Sequence, residues 1–314
     1  MTTGLTVLVP CFNEGAQVEV AHRELCAALD GIVDLEILFV DDGSRDDSLA
    51  RIKALAAADP RVRYVSFTRN FGIDAVMAAG FRYASNPWTV QCDADLQVPP
   101  SEIATLLAKA AEGYDVVFGR RRHRRDPLVR RIGSAGLHWM ARSVFRIDMP
   151  RGASTFRLVN TEVARTISDL RLPWFIPAVP MVGARHTAVD VMHRERTAGR
   201  SKLRLGRLAG HSFELFFGFS WRPLNAVYLL AALLLPLALI FDSSRLHLAV
   251  SAVTLAAVAL LSRYVHGLAR RLPSFYVREA NVEVRPGDLL APPAPVPVMP
   301  RGPAVGATDQ RPGH

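Results

Sequence analysis

Short apolar runs alternate with longer stretches of helical periodicity through the first 120 residues. Residues 5–9 predict a strand stopped by Pro10, and residues 36–40 a second, buried one. Residues 62–67, 88–92 and 115–118 give a third, fourth and fifth. The helices between them run to about residue 29, then from a turn at Asp42-Gly43-Ser44 to residue 58, then over 73–84 and 101–112. Apolar strands separated by longer helices predict an α/β domain, Rossmann-like, with a mostly parallel sheet covered on both faces. Such sheets bind ligands beyond the carboxyl ends of their strands, so the residues just after each strand carry the interest.

The pattern changes after residue 120. Arginines crowd residues 120–151, and Leu128, Ile132, Leu137, Met140, Ala141 and Val144 recur among them at helical spacing. This predicts a basic amphipathic helix over about 128–147, lying on a membrane or packed on the domain as an ordinary surface helix; both readings stand. Residues 224–241 and 246–262 hold no charged side chain and predict two membrane spans joined by a tight turn. A buried helical hairpin is the alternative, and it would need a very large core. Arg222 precedes the pair and Arg263, Arg270 and Arg271 follow it, against Arg245 alone in the turn. The positive-inside rule then puts both ends in the cytoplasm. The N-terminus lacks the basic and long apolar regions of a signal peptide, so the first domain is expected there too.

The resulting plan is a domain over 1–212, a juxtamembrane helix and hairpin over 213–271, and a short ordered cytosolic segment over 272–285 with a strand near 275–277. A disordered tail rich in Pro, Gly and Ala follows over 286–314. No internal repeat is evident.

Composition sharpens this plan. The chain has 314 residues, half of them hydrophobic, and a net charge of +9. That excludes a mini-protein, a coiled coil and a fully disordered chain. Basic charge joined to a positive mean hydropathy points to a bilayer with anionic headgroups. Nucleic acid is not expected, because the basic stretch lacks interleaved aromatic residues for base stacking. The charge is also divided, with an acidic first third and a strongly basic middle, which suggests two tasks in one chain. Cys11, Cys26 and Cys92 have no metal-like spacing and are expected as free thiols.

Candidate chemistry gathers where strands end. Asp93-Ala94-Asp95 follows the fourth strand, and in extended backbone residues two apart face one side, so the two carboxylates would converge. Hard oxygen ligands there suit Mg²⁺ or Mn²⁺ holding a diphosphate, with Gln97 as a further oxygen donor. Asp41-Asp42 and Asn13-Glu14 also lie past strands, so three polar clusters would share one rim. Simple capping, with Ser44 or Asp46 starting the next helix, is the alternative for the Asp42 turn.

The stretches VPCFNEG (9–15), VDDGSRDDS (40–48), TRNFGIDAVMAAG (68–80), DADLQVPP (93–100), TFRL (155–158), RTAGRSK (196–202) and YVHGLARRLPSFYVRE (264–279) carry a resemblance. In this order and spacing the chain resembles the GT-A fold, family 2 glycosyltransferases, and among them the dolichol/polyprenyl-phosphate sugar synthases. The resemblance covers roughly residues 5–280. It implies that Pro10, Asn13, Glu14, Asp41 and Asp42 hold base and ribose with Arg69 and Asn70 nearby. It implies that Asp95 and Gln97 bind the metal, with Asp93 beside them on the diphosphate. Arg120, Arg130 and Ser134 match positions that grip the lipid phosphate, and Arg157, Arg196, Ser201 and Lys202 match phosphate-binding positions near the transfer site.

Two departures stand out. Val98 replaces the Asp or His of many relatives, which should alter loop packing rather than metal binding. Thr155 stands where glucosyl-lipid relatives often carry a carboxylate suspected as a base. A lipid phosphate is already anionic near neutral pH, so its attack needs no base. The expectation is therefore an inverting transfer from a nucleotide diphosphate sugar to polyprenyl or dolichyl phosphate on the cytoplasmic face. GDP-mannose is preferred over UDP-sugars, from the segment before Phe156, and the short hairpin leaves homo-oligomers open. Two other readings are weaker. A polysaccharide synthase would carry Gln-x-x-Arg-Trp and more spans, whereas Trp221-Arg222 reverses that order here. A non-catalytic nucleotide-sugar scaffold is the last, and the intact acidic and basic motifs argue against it.

Overall fold

A computed structural model describes residues 3–121, 136, 139–144, 150, 153–170, 175–194, 222–241, 243–269 and 275–289. The first half follows the predicted alternation: β1 (Gly4–Cys11), α1 (Gly15–Leu29), β2 (Asp34–Asp41), α2 (Ser48–Ala58), β3 (Val62–Phe67), α3 (Ile73–Tyr83), β4 (Trp88–Gln91), α4 (Glu102–Ala110) and β5 (Val116–Arg121). Then come β6 (Arg157–Asn160), α5 (Thr161–Asp169), α6 (Phe175–Met181) and β7 (His186–Val191). Helices α7 (Arg222–Ile240) and α8 (Ser244–Ala269) precede a last strand, β8 (Val277–Ala280).

The strands form an 8-stranded sheet in the order β7-β5-β6-β4-β1-β2-β3-β8. β1 pairs in parallel with β2 and β4, β2 with β3, and β5 with β7. This is the mostly parallel α/β sheet the sequence predicts. β6 is inserted antiparallel between β5 and β4, and β8 is an antiparallel edge strand on β3. The central strands are buried on both faces, and two apolar layers result. α1 places Val18, Ala21, Leu25 and Leu29 in one layer, spaced as one face of a helix. α3 lies against β1 so closely that a Cβ on Gly80 would meet Leu8 Cδ2 at 2.3 Å.

Pro10 does not stop β1, contrary to the sequence expectation. It stays in register opposite Val40, and Cys11 opposite Asp41. Leu8 turns its carbonyl toward β4, where Cys92 N–H donates to it at 3.0 Å. Pro10, two residues on, turns the same way, but β1 pairs β4 only as far as Leu8. Its missing N–H therefore costs no ladder bond.

The hairpin region also differs from expectation. α7 and α8 follow each other and pack together. Of the described helices only α8, over Ser244–Ser262 at mean hydropathy 1.7, is long and apolar enough to cross a membrane. The expected first span, 224–241, is a shorter apolar helix, Leu224–Ile240, with Phe241 already beyond its end. Of the basic helix expected over 128–147, the structure describes a π-helical turn at Met140–Val144 beside an exposed Trp139. The rest lies outside the described residues.

After α8 the chain returns to the sheet. β8 pairs with β3, and Asn281 Oδ1 accepts from Tyr64 N–H at 2.6 Å while its amide donates to the Val62 carbonyl at 3.0 Å. Phe275 stacks on Phe67 at 4.9 Å. Pro286–Asp288, which the sequence assigns to the tail, instead forms a 3-10 turn that buries Asp288 against Arg82 and the Tyr83 hydroxyl. Burial beside Asp288 pushes the Tyr83 hydroxyl up to about 12.

Candidate active site

Three loops lock together where β1, β2 and β3 end. Asn13 sits in the left-handed region (φ 56), which an amide side chain tolerates better than most. Its N–H donates to Ser44 Oγ at 2.9 Å, and its Oδ1 accepts from Arg45 N–H at 2.9 Å. Glu14 N–H donates to Ser48 Oγ at 2.9 Å, tying the same loop to the start of α2.

Asp41 is fully buried, accepting from Ser44 N–H at 3.0 Å and from Ser66 Oγ at 2.7 Å. Asp42 turns to the third loop and accepts from Phe71 N–H at 2.6 Å and Gly72 N–H at 2.9 Å. Burial raises the Asp42 carboxyl above its ordinary value, against those two bonds and the Arg69 charge. Gly43 (φ 68) is needed between the loops, since a Cβ there would lie 2.5 Å from the Arg69 carbonyl carbon. Arg69 lies over the Phe71 ring at 4.0 Å, with Asn70 exposed beside it. Asn13, Glu14, Asp42, Arg69 and Asn70 thus fall on one interlocked set of loops, and Pro10 and Asp41 stand at the ends of the strands that lead into it. Both aspartates spend oxygens on holding those loops together.

β4 lies next to β1 and presents the acidic pair. The backbone turns at Ala94-Asp95, with Leu96 N–H donating to the Asp93 carbonyl at 3.0 Å and Leu96 at φ 47. Asp93 and Asp95 are exposed while Ala94 and Leu96 are buried, so both carboxylates face solvent through a turn rather than the expected extended strand. Gln97 donates its side-chain amide to Asp95 Oδ2 at 2.5 Å, and its Oε1 meets His193 Nε2 at 3.2 Å. Gln97 thus links Asp95 to His193 at this rim. Val98 packs into the core behind the turn, consistent with a role in loop packing. The exposed carboxylates are a hard-oxygen donor set at an open rim, which fits Mg²⁺ or Mn²⁺.

Arg157 opens β6. Because β6 runs antiparallel to β4, its first residue stands beside the last of β4, at the rim where Asp93 begins. The guanidinium is 5% exposed and lies over the Phe175 ring at 4.2 Å. Burial lowers it to about 10, opposed by the charges of Asp93 and Asp74. Thr155, two residues earlier, is exposed.

Farther along the edge, Arg120 stands opposite Asp190 on β7 and donates to it through Nε at 2.6 Å. Arg130, Ser134, Arg196, Ser201 and Lys202 lie outside the described residues. Ser66, Asp74 and His193 join the site without having been singled out in the sequence. Only Ser66, a hydroxyl inside the apolar run VRYVSF, left a local signal. Cys11, Cys26 and Cys92 are free, and burial raises all three thiols.

The chain matches the model of "Glycosyl transferase family 2" over residues 6–166. It is 35% identical over 225 residues to the undecaprenyl-phosphate 4-deoxy-4-formamido-L-arabinose transferase of Shewanella sediminis, covering 70% of this chain and 68% of that protein. It is 32% identical over 224 residues to the uncharacterized glycosyltransferase YkcC of Bacillus subtilis, covering 70% and 69%. Among solved structures, the mannosyltransferase PcManGT from Pyrobaculum calidifontis, in complex with GDP-Man and Mn²⁺, aligns at a TM-score of 0.47 and 17% identity over 87% of this chain and 85% of that one. The matched stretch begins in β1 and ends in α5, so it contains the loops after β1 to β4 and Arg157, while Asp190 and His193 lie beyond it. The chain belongs to glycosyl transferase family 2 and is a glycosyltransferase.

Proposed function

We propose that this glycosyltransferase moves a sugar from a nucleotide diphosphate sugar to polyprenyl phosphate at the cytoplasmic membrane face, inverting the anomeric centre. The observation that carries the reading is the rim itself: two exposed carboxylates on the turn after β4, with the buried Arg157 cation at the neighbouring strand position. Relatives named as undecaprenyl-phosphate sugar transferases support a polyprenyl phosphate acceptor.

In this reading the loops after β1, β2 and β3 hold the nucleotide, through Pro10, Asn13, Glu14, Asp41 and Asp42, with Arg69 and Asn70 beside it. Asp93, Asp95 and Gln97 form the Mg²⁺ or Mn²⁺ site on the diphosphate. A bound ion supplies charge neutralisation for the departing nucleotide diphosphate. Arg157, Arg196, Ser201 and Lys202 grip phosphate near the transfer point, and Arg120, Arg130 and Ser134 grip the acceptor phosphate. Thr155 offers no carboxylate, and none is needed, because a phosphate oxygen attacks as an anion. The residues then contribute position, preorganised charge and exclusion of water. Attack from the face opposite the nucleotide inverts the anomeric carbon. α8 anchors the protein, and α7, the shorter apolar helix packed against it, is the other arm of a membrane hairpin whose ends are both cytoplasmic.

The test is a donor screen. Membranes or detergent-purified protein are incubated with labelled GDP-mannose, then UDP-sugars, in the presence of undecaprenyl or dolichyl phosphate and Mn²⁺ or Mg²⁺. Label in the lipid extract, strongest with GDP-mannose, is the expected result. No lipid-linked label from any donor with folded protein would refute the acceptor, and polymer formed without added lipid would point to a polysaccharide synthase.

A further inference from the structure

Gln91 closes β4, Arg157 opens β6, and the antiparallel ladder sets them directly opposite each other. Opposed residues in such a ladder send their side chains to the same face. Both are buried, Gln91 at 3% exposure and Arg157 at 5%. Among the described residues Gln91 Oε1 accepts no hydrogen bond and Arg157 Nε donates none. Buried polar atoms are nearly always paired, so each of these asks for an explanation. Together they form a complementary set: an acceptor lacking a donor stands across one ladder rung from a donor lacking an acceptor.

The surroundings limit what else could serve either atom. Thr89, on the same face of β4, has its hydroxyl engaged with Thr161 Oγ1 at 2.8 Å. Phe118, opposite Arg157 on the β5 side, is apolar. The Phe175 ring centroid lies 4.2 Å from the guanidinium carbon, and Asp93 and Asp74 draw its charge. Neither contact gives Nε an acceptor. Nε is where the planar fork joins its stem, so a bond there decides where the two terminal nitrogens point.

We propose that Gln91 is a positioning residue whose carboxamide oxygen takes the Arg157 Nε–H in the donor-bound enzyme, aiming the terminal nitrogens at the donor diphosphate beside Asp93. The inference rests on the reading of Arg157 as a group that meets that diphosphate.

The experiment uses the full chain in membranes or detergent, with Gln91→Leu, Gln91→Met, Gln91→Glu, Arg157→Ala and wild type. Initial rates are measured over donor and acceptor concentration, and melting curves are recorded beside them. Gln91→Leu is expected to lower kcat by about ten- to a hundredfold, with acceptor KM unchanged. Its melting temperature should hold or rise, because an apolar group replaces an unpaired polar one. Gln91→Glu, which keeps an acceptor at this point, should recover most of the kcat.

If Gln91→Leu melts early, Gln91→Met supplies the acceptor-free variant of closer length. Wild-type kcat per folded enzyme in the acceptor-free variants overturns the proposal. So does a loss of kcat that tracks the melting temperature and is not recovered by Gln91→Glu, the mark of a packing role. Full activity in Arg157→Ala would instead sink the underlying reading of Arg157. An inactive Arg157→Ala beside a fully active Gln91→Leu sinks only the inference about Gln91.

Discussion

Arg120 and Asp190 face each other across the β5–β7 ladder and are joined by a 2.6 Å ion pair that both leave about half exposed. Arg120 is the cation proposed for the acceptor phosphate, so its carboxylate partner competes with that phosphate. Asp190→Asn should lower the KM for polyprenyl phosphate by about threefold at low salt, an advantage that fades as salt rises. Unfolding free energy should change by less than about 1 kcal/mol, as is usual for exposed pairs. Acceptor titrations at two ionic strengths check this, and an unchanged KM would remove Arg120 from the acceptor site.

Asp95 is exposed, and the Gln97 side-chain amide donates to it on the same turn. Asp95→Ala should leave the melting temperature within a degree or two while lowering turnover by about a thousandfold. Chelation of divalent ions should silence the wild type, and Mn²⁺ should restore it. Residual activity in Asp95→Ala that still rises with Mn²⁺ would place the ion elsewhere.

Asp42 holds two backbone N–H groups of the third loop. Asp42→Ala leaves both without their acceptor and should cost about 2 kcal/mol of stability. The KM for donor should rise more than kcat falls, because the nucleotide loops loosen while the rim after β4 is untouched. Calorimetric titration with GDP and UDP tests the split.

Arg157 predicts stability and activity moving in opposite directions. Its lowered value of about 10 means that the folded chain disfavours the charge relative to the unfolded chain. That penalty is fully present below pH 10 and is relieved as pH climbs past it. Arg157→Met should therefore keep or raise the melting temperature at neutral pH while abolishing turnover. The wild-type pH–rate profile should fall on its alkaline side near 10, well before an ordinary arginine loses its proton. A flat profile beyond that point would contradict the charge requirement.

Asp288 pairs with Arg82 and the Tyr83 hydroxyl in a buried setting. Asp288→Ala strands both partners and should cost about 3 kcal/mol. Limited proteolysis should then cut first between residues 275 and 289.

The central parallel strands and their helices were legible because each is a buried run bounded by turns, a local property of the sequence. β6 and β8 were less so. Arg157 and Asn160 bound a four-residue strand whose identity depends on the neighbours it inserts between, and nothing local to TFRL encodes that reversal. The polar residues at strand ends were visible as candidates, whereas their division of labour was not. Asp41 and Asp42 are adjacent in sequence yet bind different loops, and Gln97 meets both Asp95 on its own turn and His193, 96 positions away. Pro10 shows the converse error, since whether a proline ends a strand depends on which edge its nitrogen faces.

The bond from Tyr64 to Asn281 joins residues 217 positions apart. Between them in the chain lie α7 and α8. The β3 edge of the catalytic sheet is therefore completed by a segment that leaves the ribosome only after the apolar helices have been made. During synthesis that edge waits with its ladder groups unpaired, and its closure reports that the helices have been built and the chain has come back. A nascent chain halted before residue 275 should accordingly carry an open, association-prone edge, and its maturation becomes a question of order in time as much as of sequence.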